Sequence, residues 1–233
     1  MKRTRFLFRR PVLTGLGTVL GGLVLGRAIL SGAVLPSADA AGTAGVVDLG
    51  SAAVGLPPSG FTLARTGGGA QGVWEVVADA SVASGRVLAQ TSADGTDHRF
   101  PLAIYEGQPP LNGEVSVRFK AIGGRVDRAG GLAIRLRDAD NYYVVRANAL
   151  EDNVNFYRVV KGDRRELRGA SAKVPSDVWH TLELRAEGER FTVSFNGKAL
   201  FTVNDRTFPG AGKVALWTKA DSVTRFDRLV IGA

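Results

Sequence analysis

The stretch GGLAIRLRDADNYYVVRAN, residues 130–148, decides the fold class. Leu132, Ile134 and Leu136 alternate with Ala133, Arg135 and Arg137, the period-two pattern of a strand with one buried face. A four-residue turn over Asp138-Ala139-Asp140-Asn141 sets Arg137 opposite Tyr142. Leu136, Ile134 and Leu132 then face Tyr143, Val145 and Ala147. That register collects Arg135, Arg137, Tyr142, Arg146 and Asn148 on the other side of the hairpin.

Working outward, the same alternation recurs. Val115, Val117 and Phe119 point one way against Ser116, Arg118 and Lys120. Phe191, Val193 and Phe195 form one apolar row, and Ala199, Phe201 and Val203 another, across Asn196-Gly197. A two-residue loop pairs odd with even positions and parts these rows. A three-residue loop with Gly197 left-handed or bulged is therefore expected. Val214, Leu216 and Thr218 alternate with Ala215, Trp217 and Lys219, and Phe226 to Ile231 closes the chain. Turn residues punctuate these runs, among them Asp94-Gly95, Asn112-Gly113, Gly162-Asp163 and Pro209-Gly210. No window after residue 40 shows a capped helical stripe. The expectation is an all-β fold over residues 73–233: about a dozen strands in a two-sheet antiparallel sandwich, with no long helix outside the N-terminal leader. Residues 41–72, rich in Ala, Gly and Pro, are read as a linker with room for one early strand.

Composition narrows the function classes. The 233 residues are 45% hydrophobic and lack cysteine, so a core is affordable and disulfides are excluded. The formal charge of +8 is concentrated at the start: the first 40 residues hold six basic side chains (Lys2, Arg3, Arg5, Arg9, Arg10, Arg27) against Asp39. The remainder carries 24 basic against 21 acidic residues, too balanced for a phosphate-tracking surface, and nucleic acid is set aside as a partner.

The leader itself is a basic segment over residues 2–10, an uncharged apolar run from Pro11 to Gly26, and the small residues Ala38-Asp39-Ala40 before Ala41. Two readings stand: a cleaved export signal, by the general secretory route or through the Arg9-Arg10 pair, or an uncleaved anchor in which Pro11 to Leu35 spans a bilayer. Either places the domain outside the cytoplasm, periplasmic or extracellular, with the membrane touched only through this segment. A monomer is expected.

Several motifs together resemble the concanavalin A-like lectin/glucanase superfamily. They are Gly130-Gly131-Leu132-Ala133-Ile134-Arg135, Asp140 to Asn148, Trp179-His180-Thr181-Leu182, Asn196-Gly197, Gly212 to Trp217, Asp221 and Phe226-Asp227. Within the superfamily the branch they resemble most is that of the 3-keto-disaccharide hydrolases, with family-sixteen-like domains. The resemblance implies a jelly-roll sandwich in exported proteins whose concave sheet meets carbohydrate. It also admits a structural calcium held by loop carbonyls and an acid such as Asp227, at a place the sequence does not locate. The Glu-x-Asp-x-Glu run of laminarinase-type members is absent, which removes the paired carboxylates of retaining glycosidase chemistry.

The remaining chemistry is thin. His180 shares the parity of Leu182 and Leu184 and is read as a hydrogen-bonded residue at the core edge. His98 lies in a loop, either solvated or free to act as a base or ligand. His98 and Asp221 are the candidates for catalysis, and no metal site is expected. Asp138-Ala139-Asp140-Asn141 lacks the glycine and glutamate of a calcium loop and reads as a turn. The constellation best suited to a ligand is Arg135, Arg137, Tyr142, Arg146 and Asn148, joined by Tyr157, Trp217 and Lys219. Aromatic faces stack on sugar rings, while Arg and Asn bond hydroxyls. The same residues also fit a solvated outer sheet with Arg lying over aromatics. A non-catalytic carbohydrate-binding domain, a hydrolase of oxidised (3-keto) glycosides and a structural envelope domain that binds another protein all remain open.

Overall fold

The computed structural model describes residues 44–233; the leader reading falls outside them. Fifteen strands run in order: β1 (Gly45–Asp48), β2 (Phe61–Gly67), β3 (Trp74–Ala78), β4 (Arg86–Gln90), β5 (Arg99–Tyr105), β6 (Gly113–Gly123), β7 (Ala129–Asp138), β8 (Asn141–Asn148), β9 (Asn153–Val160), β10 (Asp163–Ser171), β11 (His180–Glu187), β12 (Arg190–Phe195), β13 (Lys198–Asn204), β14 (Lys213–Trp217) and β15 (Val223–Gly232). One sheet is ordered β13-β12-β11-β6-β15-β4-β3, with β1 added beside β15, and the other β10-β9-β8-β7-β14-β5-β2. All strand pairs are antiparallel. The two sheets form a jelly-roll sandwich, and no helix occurs among the described residues.

The inner faces meet in one core built from the apolar rows expected of it. Leu132, Ile134, Tyr143, Val145 and Phe156 of one sheet pack against Val117, Phe119, Leu182, Phe191 and Phe226 of the other. Burying each such side chain contributes about 1.5–3 kcal/mol, enough in sum to dispense with disulfides. Gly130 and Gly131 show why two glycines sit here: a side chain at the first would strike Phe119 in the core, and a Cβ at the second would lie 2.9 Å from the Trp217 indole on the opposite side.

Three expectations are corrected. Residues 41–72 are more than a linker: β1 pairs with β15, and β2 pairs with β5 over its whole length, so both are parts of the sandwich. At the first hairpin, Asp138 does pair with Asn141, but the register slips by two before Ile134, which faces Tyr143 instead of Val145. Arg135 takes a left-handed φ of 48° inside this bulge. Its side chain consequently turns to the core edge, while Leu136 moves to the outer face. At the second hairpin the turn is Asn196-Gly197, two residues at φ 50° and 75°, not three. A one-residue bulge between Val193/Ser194 and their partners restores parity, so Phe201 still meets Val193. The odd residue is needed, as expected, but the strand supplies it and the loop does not.

Candidate functional site

The outer face of the seven-stranded sheet brings together most of the predicted constellation. Tyr142, Arg146 and Asn148 project from β8, Tyr157 from β9 and Trp217 from β14. Lys219 follows two residues after β14. The two arginines of the bulge do not join them. Arg135 donates to the carbonyls of Phe208 (3.0 Å), Leu111 (3.3 Å) and Gly188 (2.6 Å), tying three loops at one end of the sandwich. Arg137 is exposed and lies 5.1 Å over the Phe208 ring. Both are displaced by the same left-handed turn.

The loops that complete the face are pinned by buried polar groups. Asp221, a catalytic candidate, accepts hydrogen bonds from the backbone N–H groups of Arg125 (2.6 Å), Val126 (3.0 Å) and Asp127 (2.9 Å). Burial pushes its carboxyl up, but these bonds outweigh it and hold the pKa below the ordinary value. Its role is to clamp the loop that carries Asp127. Arg99, fully buried, donates to the carbonyls of Ala70 (2.8 Å) and Ala220 (2.5 Å) and to Ser92 Oγ (2.9 Å), which fixes the loop carrying Lys219. His98 is exposed in the turn just before β5, its ring 5.7 Å from that of Phe100. Asp227 lies on the other sheet, paired with Arg118 at 2.6 Å. Among the described residues no three His, Cys, Asp or Glu side chains converge as a metal would require. His180 sits buried, with Nε2 3.1 Å from the Pro175 carbonyl and Nδ1 3.1 Å from Asn196 Nδ2.

On the face itself the polar side chains form two linked groups. Arg146 donates to Asn153 Oδ1 (2.6 Å), Glu151 (2.8 Å) and the Tyr157 hydroxyl (3.0 Å). Asn155 donates to the same hydroxyl (3.1 Å) and to Glu166 (2.9 Å). Beside them, Lys219 bridges Asp97 (2.8 Å) and Asp127 (3.1 Å), and Asn148 donates to Asp127 (3.0 Å). Asp127 is 1% exposed; burial pushes its carboxyl up and Lys219 pulls against that. The aromatic residues form the floor. Trp217 is fully buried, stacked on Phe100 at 5.3 Å and donating to the Tyr142 hydroxyl at 3.3 Å. Above this floor lies Arg164 of β10, its guanidinium carbon 4.5 Å from the Tyr157 ring centre, 4.8 Å from Phe100 and 5.7 Å from Trp217.

A family model described as the galactocerebrosidase C-terminal lectin domain matches residues 114–233, just over half of the chain. The chain belongs to this lectin-domain family. Its solved structural neighbours share the jelly roll of the concanavalin A-like lectin/glucanase superfamily. The carbohydrate-binding module CBM66 from Bacillus subtilis superposes with a TM-score of 0.57 at 18% identity, over 72% of this chain and 92% of that one. An apo Crh5 transglycosylase gives 0.55 at 14% identity, over 82% and 84%. A Bacillus licheniformis β-glucanase gives 0.52 at 11% identity, over 81% and 97%. At these identities the likeness concerns the fold. No curated protein matches the chain.

In this member of the lectin-domain family, the residues that alternation missed are Arg164, Glu166, Asn155 and Asp127. The first two sit on an edge strand whose polar alternation offers no apolar row to announce it. Arg164 opposite Val159, and Glu166 opposite Tyr157, follow only once the β9–β10 register is known.

Proposed function

We propose that this chain is an exported, non-catalytic carbohydrate-binding domain, and that the outer face of the seven-stranded sheet is its binding surface. Membership of a lectin-domain family sets the class. The observation that carries the assignment to this face is the run of hydrogen-bonding side chains from Glu166 through Asn155, Tyr157 and Arg146 to Glu151, held over a rigid aromatic floor. Such a fixed fence of donors and acceptors suits sugar hydroxyls. The rings contribute differently from the expectation: Trp217 and Tyr142 are fully buried, Trp217 beneath Arg164, so they brace the polar groups and do not themselves stack on sugar. Export rests on the basic and apolar leader of residues 1–40.

The absence of catalysis in this reading is supported by how the acids are used. Lys219 engages Asp97 and Asp127, Arg146 engages Glu151, and three backbone N–H groups engage Asp221. A glycan array probed with the intact chain, followed by calorimetry, tests the proposal. Glu166→Ala on the exposed rim is expected to weaken retention about tenfold, equivalent to one charge-assisted hydrogen bond of about 1.4 kcal/mol, with the melting temperature unchanged. No retained glycan on the array and no heat at millimolar saccharide would sink it.

A further inference from the structure

The charges on this face do not all pair. Arg146 has Glu151, and Lys219 has both Asp97 and Asp127. Arg164 has no carboxylate within ion-pair distance among the described residues, and its Nη1 is buried with no hydrogen-bond partner. Glu166, two residues along the same strand, bonds Asn155 instead. Burial weakens the protonation of the Arg164 guanidinium, and the nearby Arg146 cation acts in the same direction. A desolvated cation beside a like charge is costly unless an anion answers it. The three rings beneath supply part of that compensation through their π-systems. Its edge is a fork of N–H donors, none of which has a hydrogen-bond partner among the described residues, the geometry that a carboxylate accepts in a paired fashion.

We propose that the saccharide taken by this face carries a carboxylate, that is, a uronic-acid-containing glycan, and that Arg164 is the residue that selects it. This rests on the carbohydrate-binding reading above and narrows it to a ligand class. The sugar's ring hydroxyls meet the fence of Asn155, Tyr157 and Glu166 while its carboxylate meets the donors of the half-buried Arg164 guanidinium that still face solvent. Arg165, the next residue, is 71% exposed, points to the opposite side of β10 and pairs with Asp163, so it serves as an internal control.

The test uses the full chain with three matched pairs of probes: oligogalacturonate, oligoglucuronate and oligomannuronate, each beside its methyl ester, which keeps the backbone and removes the charge. In at least one pair the free acid should bind about tenfold tighter than its ester. Arg164→Gln should bring that ratio to within about twofold, and Arg165→Gln should leave it intact. A thermal melt of Arg164→Gln matching the parent establishes that the fold survives. If it does not survive, Arg164→Lys, which keeps the charge but loses the planar fork, should reduce the ratio instead. Equal affinity for acid and ester in all three pairs, or a preference that persists in Arg164→Gln, overturns the proposal and leaves the broader reading standing. So does binding confined to neutral glycans. Failure to bind any glycan, charged or neutral, removes both.

Discussion

Arg135 and Trp217 show what one residue's backbone or burial does to a site. Alternation carried through residues 132–137 puts Arg135 with Arg146, and nothing in an arginine announces a left-handed φ. Six of the eight predicted ligand-binding residues nevertheless share the outer face, five on strands whose pairing with β5 and β9 is regular and Lys219 on the loop that Arg99 fixes. Removing the Arg135 guanidinium leaves the carbonyls of Phe208, Leu111 and Gly188 unanswered, so Arg135→Met should cost about 2–4 kcal/mol in a urea titration. Trp217→Ala should cost about 3–5 kcal/mol, as for any large buried aromatic, and any loss of binding in that variant must be corrected for unfolding. Asp221 gives a pH dependence. Its folded pKa is lowered, so its contribution is present above the ordinary carboxylate pKa of about 4 and is lost as pH falls through the folded value. Asp221→Asn should melt lower at neutral pH, with the difference from the parent shrinking in acid.

At the scale of elements, the hairpin of β12 and β13 separates what parity requires from how the chain satisfies it. Two apolar rows on one face demand an extra residue, and the rows of Phe191, Val193 and Phe195 state that demand in the sequence. Where the residue goes is not stated there, because Asn-Gly is equally at home in a tight two-residue turn. The bulge lies at exposed Ala199 and half-buried Leu200. Deleting Ala199 therefore should regularise the ladder and keep Val193 opposite Phe201, moving the melting temperature by no more than about 4 °C. Gly197→Ala, by contrast, forces a side chain to φ 75° and should cost about 1 kcal/mol, read from the same melts.

For the whole molecule, the sandwich class was legible because period-two rows recur along the chain and each demands a buried face. The N-terminal limit was not. Phe61, Leu63 and Arg65 alternate, but Pro57-Pro58-Ser59-Gly60 before them and Gly67-Gly68-Gly69 after them read as linker. The pairing of β2 with β5 becomes evident only in three dimensions. A chain starting at Val73 exposes the inner edge of β5 and should be recovered insoluble, whereas one starting at Ala44 should give a single cooperative melt. The three tryptophans are distributed usefully across this architecture: Trp74 in the central core, Trp179 between Arg118 and Lys120 on the eight-stranded side, and Trp217 under Arg164. A molecule that lifts the Arg164 guanidinium off its ring alters the electric field at Trp217 alone. With Trp74 and Trp179 replaced by phenylalanine, the emission of the last indole becomes an intrinsic optical gauge of occupancy, requiring no attached dye.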